Sequence, residues 1–364
     1  MRRRLVIDGV TIHDDGDCYV IAEIGHNHQG DVEQAKQLIE AAKECGADAV
    51  KLQKRSNRTL YTREFFEQPY DNEFSFGRTY GEHREALELS HGEYVELQQH
   101  AREVGITFFA TAFDFESADF LAELDVPAYK IASGDLRNTP LLRHVAALGK
   151  PVLLSTGGAG LADVERAVDT VLPLNDEVCV LQCTAAYPCD TDDLNLNVIT
   201  TLRDRFPDLV IGLSDHQNGI AMAVVAYMLG ARVIEKHFTL NHAAKGTDHA
   251  FSLMPEGLRK LVRDLRRVPG ALGDGVKRPL EIEEAPLRKM GKKLVAARDL
   301  EAGHVIGPDD VAIKSPADGG LPPYELDRIV GLRLRRTLRR DENVALDDLE
   351  PVEEPVAAHA APRS

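Results

Sequence analysis

The sequence predicts an α/β chain: a TIM (β/α)8 barrel followed by a small β-rich domain. Short apolar runs alternate with helix-period segments eight times between Tyr19 and Val268. Such alternation implies parallel strands, and eight units close most naturally on themselves. No G-x-G-x-x-G follows the first strand, which disfavours an open doubly wound sheet. After about residue 292 the pattern changes to short strands punctuated by turn residues.

The elements follow in order. Leu5 to Ile12 alternates around Asp8-Gly9, a hairpin signal. Strand YVIAE (19–23) precedes a helix at about 31–45, and ADAVKLQ (47–53) follows. Residues 55–85 break the rhythm with aromatic and charged side chains and read as an insertion or long loop. A helix at about 91–104 leads to ITFFAT (106–111), one at 116–124 to PAYKIAS (127–133), and one at 139–148 to PVLLST (151–156). Helix 161–172 leads to VCVLQCT (178–184), helix 197–206 to VIGLS, and helix 219–229 to ARVIE. A last helix at about 255–268 completes a barrel domain of residues 1–271. Gly, Pro and charge mark 272–292 as a linker. The small domain spans 293–352, and the tail 353–364 is expected to be disordered.

Composition excludes several classes. A net charge of −16 argues against a nucleic-acid surface. No apolar run is long enough to span a bilayer, so no membrane partner is expected. MRRR leads into a strand pattern without a signal-peptide apolar region, and the five cysteines are odd in number. They read as reduced thiols of a cytoplasmic protein.

In a barrel the strand C-termini carry the chemistry. Here they bring Glu23, Lys51 and Gln53, Thr111, Lys130, Ser133 and Asp135, Ser155, Tyr187, Ser214, His216 and His237, with Asp248 in the turn beyond. Any one of them has an ordinary explanation, as a helix cap or a snorkelling surface residue. Lys51 and Lys130 are different, because each interrupts an apolar strand, where an unpaired charge is costly. With the nearby hydroxyls they make an anion cradle. His216 and His237 end consecutive parallel strands, so they approach each other although 21 positions apart. Two imidazoles among carboxylates suit a divalent metal. The reading weighed against it is one buried, satisfied histidine and one surface histidine. A metal beside an anion cradle fits either carbon–carbon bond formation with phosphoenolpyruvate or a metal-dependent aldol reaction.

IAEIGHNHQGD (21–31), ADAVKLQ (47–53), PAYKIASGD (127–135), LSTG (154–157), LQCTAAYP (181–188), IGLSDH (211–216) and EKHFTL (235–240) together closely resemble the sialic acid synthase family. The C-terminal segment resembles the antifreeze-like (SAF, β-clip) domain of that family. The resemblance implies condensation of phosphoenolpyruvate with N-acetylmannosamine, or its 6-phosphate, with release of phosphate. It implies a divalent metal on His216 and His237, usually Mn²⁺, with Mg²⁺ or Co²⁺ as substitutes. Lys51, Lys130, Ser133, Ser155, Tyr187 and Ser214 match positions that hold phosphoenolpyruvate. Glu23, Gln53, Thr111 and Asp248 match positions facing the sugar or metal water, and Asp135 matches a carboxylate that handles the water proton. A domain-swapped homodimer is implied as well. Two departures stand out: Ala185 replaces an Asn common in bacterial relatives, and Ser315 stands where such enzymes carry an Arg that touches the sugar's N-acetyl group. A related synthase making legionaminate, pseudaminate or a deaminated analogue is the nearest alternative. A non-catalytic carbohydrate- or ice-binding protein is the alternative from another class, and the presence of both lysines and both histidines speaks against it.

Overall fold

The computed structural model describes residues 3–352; the tail expected to be disordered, 353–364, lies outside the described residues. The chain divides into two compact units, Met1–Gly273 and Asp274–Ser364.

In the first unit β1 (Arg4–Ile7) and β2 (Val10–His13) form the expected hairpin, with Arg4 opposite His13. Asp8 and Gly9 both take positive φ, 48° and 79°, the geometry a two-residue hairpin turn needs. The hairpin packs at the strand N-termini. Asp8 accepts from the Thr107 hydroxyl at 3.0 Å, and Glu177 accepts from the Val6 amide at 2.9 Å.

The closed barrel consists of β3 (Tyr19–Gly25), β4 (Ala49–Lys54), β5 (Thr107–Ala112), β6 (Tyr129–Ile131), β7 (Val152–Ser155), β8 (Val178–Cys183), β9 (Val210–Asp215) and β10 (Val233–His237). All neighbours are parallel, and β10 returns to β3. Every residue of β3, β5, β8, β9 and β10 is buried, as expected of strands covered on both faces. Within such runs a charged side chain has only the barrel interior to occupy.

The connections carry α1 (Val32–Glu44), α2 (Asn57–Leu60), α3 (Arg63–Glu67), α4 (Tyr80–Glu85), α5 (His91–Val104), α6 (Phe115–Glu123), α7 (Thr139–Ala147), α8 (Leu161–Val171), α9 (Val198–Arg205), α10 (Ala221–Met228) and α11 (Pro255–Leu272). Side-chain caps start several of them: Asp31 for α1, Ser90 in a capping box with Glu93 for α5, and Asp114 for α6. The insertion is not a plain loop. Residues 57–85 hold three short helices, joined by a bridge between Pro69 and Thr79. An aromatic cluster of Tyr61, Phe65, Tyr70, Tyr80 and His83, with ring centroids 4.6–6.2 Å apart, packs them together.

The second unit begins with α12 (Glu284–Met290), inside the stretch read as linker. Its Gly- and Pro-rich lead-in hid a helix-competent run. β11 (Lys293–Ala296) pairs antiparallel with β12 (Val311–Lys314), and β13 (Arg333–Leu334) with β14 (Leu349–Glu350). Ile329, expected in a strand, instead ends the helical turn α13 (Leu326–Ile329). It packs with Leu294, Ile306, Leu334, Leu338 and Val344 in a separate small core.

Candidate active site

The C-terminal ends of the strands surround a cavity of about 470 Å³. Its floor is ionic. Lys51 forms an ion pair with Glu23 Oε2 at 2.5 Å, donates to the Thr111 hydroxyl at 2.7 Å, and lies 3.9 Å from Glu235 Oε2. Lys130 lies 4.0 Å from Glu235 Oε1, which also accepts from the Ser214 hydroxyl at 3.1 Å. Register explains the cluster: Glu23 pairs with Lys51 across β3 and β4, and Ser214 with Glu235 across β9 and β10. Lys51 and Lys130 are 2% and 3% exposed, so neither ammonium snorkels to solvent.

The two carboxyls differ. Burial pushes the Glu235 carboxyl up, but Lys130, Lys51 and His237 pull harder and hold it at about 2. Burial also raises Glu23; Lys51 opposes this, the Glu235 charge adds to it, and the carboxyl stays above its usual range. One carboxylate is thus held ionised and its neighbour is biased toward a proton, the kind of split that separates acid from base roles.

The two histidines meet as expected. Lys236 pairs with Asp215 across β9 and β10, and the rings of His216 and His237 lie 5.4 Å apart between centroids. His216 Nδ1 sits 3.0 Å from the Thr184 carbonyl oxygen, a contact in which it donates and leaves Nε2 with a free lone pair. His237 Nδ1 is buried without a hydrogen-bond partner and lies 3.7 Å from Asp248 Oδ2. Burial, which outweighs Asp248, keeps this imidazole neutral. Behind them a buried salt bridge from Lys236 to Asp215, 2.9 Å, ties the two strand ends together. The Tyr187 ring packs 4.2 Å from that of His216.

Small residues make the remaining room. Gly25 takes φ 54° where the β3–β4 register shifts, and a Cβ there would come within 3.3 Å of both Gln53 Nε2 and Glu23 Oε1. At Gly157 a Cβ would fall 2.8 Å from Ala185 Cβ and from Ser133 Oγ, the hydroxyl that accepts from the Gly157 amide at 2.9 Å. Ser155 Oγ, Glu235 Oε2 and His237 Nδ1 are buried polar atoms without hydrogen-bond partners. All three residues line the cavity. Native interiors rarely leave such atoms unpaired unless a ligand, ion or water completes them.

Of the residues that the sequence singled out, Glu23, Lys51, Gln53, Thr111, Lys130, Ser133, Ser155, Tyr187, Ser214, His216, His237 and Asp248 all line this cavity. Asp135 does not. It closes the short turn Ser133–Asp135, with Ser133 and Gly134 on the cavity wall, and its carboxylate accepts from Asn138 at 3.2 Å instead. His28 is buried, and its Nδ1 accepts from the Gly30 amide at 3.1 Å. The sequence did not point to His26, Arg55, His83, Arg84 and Phe113, which also line the cavity. The signal was present in Arg55 just past β4 and in the basic, aromatic run RTYGEHR (78–84), but neither has a period that fixes direction.

Comparison with known proteins agrees with this architecture. The sequence profile of the NeuB family matches residues 38–277, and that of the SAF domain matches residues 293–350. The chain is 43% identical to the N-acetylneuraminate-9-phosphate synthase of Mus musculus over 333 residues, covering 92% of this chain and 93% of that protein. It is 39% identical to the N,N'-diacetyllegionaminic acid synthase of Legionella pneumophila, covering 92% and 95%. The N-acetylneuraminic acid synthetase of Leptospira borgpetersenii superposes with a TM-score of 0.68 at 31% identity, covering 79% of this chain and 95% of that one. The chain, with its closed barrel, ionic floor and paired histidines, belongs to the NeuB family of sialic acid and related nonulosonate synthases.

Proposed function

We propose that this chain condenses phosphoenolpyruvate with N-acetylmannosamine, or its 6-phosphate, and releases phosphate by C–O cleavage. The observation that carries the reading is the buried Lys51–Lys130 pair beside unpartnered Ser155 Oγ, facing two imidazoles across one cavity. The lysines, Ser155 and the Gly157 turn suit the phosphate and carboxylate of the enol ester. The sugar aldehyde then lies toward His216 and His237.

The donor set fits a divalent cation. Both imidazoles line the same cavity, and the His237 Nδ1 atom has no hydrogen-bond partner. Among the described residues no three His, Cys, Asp or Glu side chains gather as a closed metal cage. Two protein donors leave positions for water and substrate, as a catalytic site requires. Bound there, Mn²⁺ (with Mg²⁺ or Co²⁺ as substitutes) supplies Lewis-acid polarisation of the aldehyde.

The chain's own residues do the rest. Lys51 and Lys130 hold the enol phosphate so that its C3 carbon meets the aldehyde carbon. Glu23, biased toward its protonated form, delivers a proton to the aldehyde oxygen as the carbon–carbon bond forms. Water adds at C2 and gives one proton to the Glu23 carboxylate left by the first step; C2 then becomes a ketone as its hydroxyl proton and the electron pair of the broken C–O bond leave with phosphate. Gln53, which donates to Glu23 Oε1 at 2.6 Å, orients that carboxyl.

A second reading, a synthase acting on a different hexose, is favoured by Ser315. This short side chain stands where the resemblance expects an N-acetyl-reading Arg, and it is engaged by Lys292 at 2.6 Å. A phosphate-release assay with phosphoenolpyruvate, Mn²⁺ and a panel of hexoses tests both. Turnover with N-acetylmannosamine or its 6-phosphate is expected. Turnover only with a diacetamido sugar moves the chain to the second reading, and no release with any aldose removes the synthase reading. A homodimer with exchanged small domains is proposed from the same resemblance. Sedimentation velocity is expected to give twice the chain mass; a monomer at assay concentration refutes it.

A further inference from the structure

The cavity carries positive charge that the condensation does not use. On the floor each lysine faces a glutamate: Lys51 lies against Glu23 and Glu235, and Lys130 lies against Glu235. On the outer wall the Asp248 and Glu88 carboxylates favour the charged forms of Arg84 and Arg55 from a distance, without pairing directly with either. Arg55, just past β4, is 7% exposed, and Arg84, near the end of α4, is half-buried. Both line the cavity, and their polar contacts are to neutral groups. Arg55 donates to Gln53 Oε1 at 2.7 Å, and its other terminal nitrogen lies 3.2 Å from His26 Nε2. Arg84 Nε donates to the Tyr80 hydroxyl at 3.0 Å, and its NH1 lies 3.4 Å from His26 Nδ1. Lys54 takes Glu88 Oε2 at 2.9 Å, and Glu88 Oε1, without a hydrogen-bond partner, lies 3.8 Å from His26 Nε2. No ion pair forms to either guanidinium among the described residues.

His26 cannot serve both guanidinium groups. Burial, then Arg55 and Arg84, hold this imidazole neutral. A neutral imidazole has a single acceptor nitrogen. It therefore accepts from one arginine and turns an N–H toward the other. One guanidinium is left with a donor facing a donor, in a site where unpaired cations are costly. The Phe113 ring lies 3.6 Å from the Arg55 guanidinium carbon and fixes its plane. Two oriented forks without a direct ion-pair partner are suited to a phosphate, which guanidinium binds in bidentate fashion.

We propose that Arg55 and Arg84 form a second anion subsite, which takes the phosphate monoester of a hexose 6-phosphate. This chain then prefers the phosphorylated hexosamine to the free sugar. The proposal rests on the synthase reading and deepens it. Gln53 and Glu23 stand between this subsite and Lys51, so the two anion poles are distinct and one substrate anion goes to each.

The test compares N-acetylmannosamine 6-phosphate with N-acetylmannosamine at saturating phosphoenolpyruvate and Mn²⁺. Wild-type kcat/KM is expected to favour the phosphorylated sugar at least about tenfold, as loss of charge-assisted contacts implies. In Arg84→Gln and Arg55→Gln that preference falls about tenfold or more, whereas Arg84→Lys retains part of it. No preference in the wild type, or an unchanged preference in the variants, overturns the proposal. A phosphoenolpyruvate KM that rises in step with the sugar KM also overturns it, by placing the arginines at the other pole. Should buried Arg55→Gln fail to fold, the half-buried Arg84 carries the test. If neither sugar supports phosphate release, the synthase reading fails separately. Calorimetric titration of N-acetylmannosamine 6-phosphate then decides the subsite: binding that weakens in Arg84→Gln supports it, and no binding overturns it.

Discussion

Removal of divalent cations with a chelator is expected to reduce phosphoenolpyruvate-dependent phosphate release to background, and added Mn²⁺ to restore it. The expectation follows from two imidazoles that meet at the strand ends. His216 is oriented by the Thr184 carbonyl, and His237 Nδ1 has no hydrogen-bond partner. His216→Ala removes one of two protein donors and should abolish Mn²⁺ binding, read by electron paramagnetic resonance independently of activity. The fold should survive, because the Lys236–Asp215 bridge that joins the strand ends remains. Full turnover in excess chelator, or unchanged Mn²⁺ binding by His216→Ala, would remove the metal from this site.

That site was legible in the sequence wherever strand periodicity fixed direction. His216 and His237 end consecutive parallel strands, so their adjacency follows from the repeat alone. Lys51 and Lys130 interrupt apolar runs, and in strands buried on both faces a charge has only the barrel interior to occupy. Arg55 and Arg84 were not legible in this way. The segment 55–85 shows neither a helix nor a strand period in the sequence, and its course is set by contacts among aromatic rings distant in sequence. Which of its side chains turn inward is a tertiary outcome. Asp135 shows the opposite failure. It follows a strand as an active-site residue would, but the tight turn at Ser133–Asp135 spends its carboxylate on Asn138. In the second unit, α12 was obscured because Gly and Pro before it outweighed a short helical run in the composition.

Lys51→Met and Lys130→Met are expected to separate binding from stability. Each should raise the phosphoenolpyruvate KM or lower kcat at least about tenfold, since a decade corresponds to ~1.4 kcal/mol and a charge-assisted hydrogen bond contributes ~1.5–3 kcal/mol. Their stabilities should differ. Lys51 holds Glu23 at 2.5 Å and Thr111 at 2.7 Å, and its loss strips the floor of its closest ion pair. Breaking a buried pair on one side costs ~3–5 kcal/mol. Glu23 moderates this by taking a proton, toward which burial already biases it. Lys130 approaches Glu235 only at 4.0 Å, and Glu235 keeps Ser214 and Lys51 when Lys130 is gone, so Lys130→Met should destabilise less. The double variant Lys51→Met with Glu23→Gln removes both ends of the close pair. It should regain part of the lost stability and none of the activity, and a double-mutant cycle in urea is expected to give a coupling above ~1 kcal/mol. Additive stabilities would mean that Lys51 and Glu23 do not interact as an ion pair. Unchanged phosphoenolpyruvate kinetics in both single variants would make the lysines structural and leave the anion cradle without its cations.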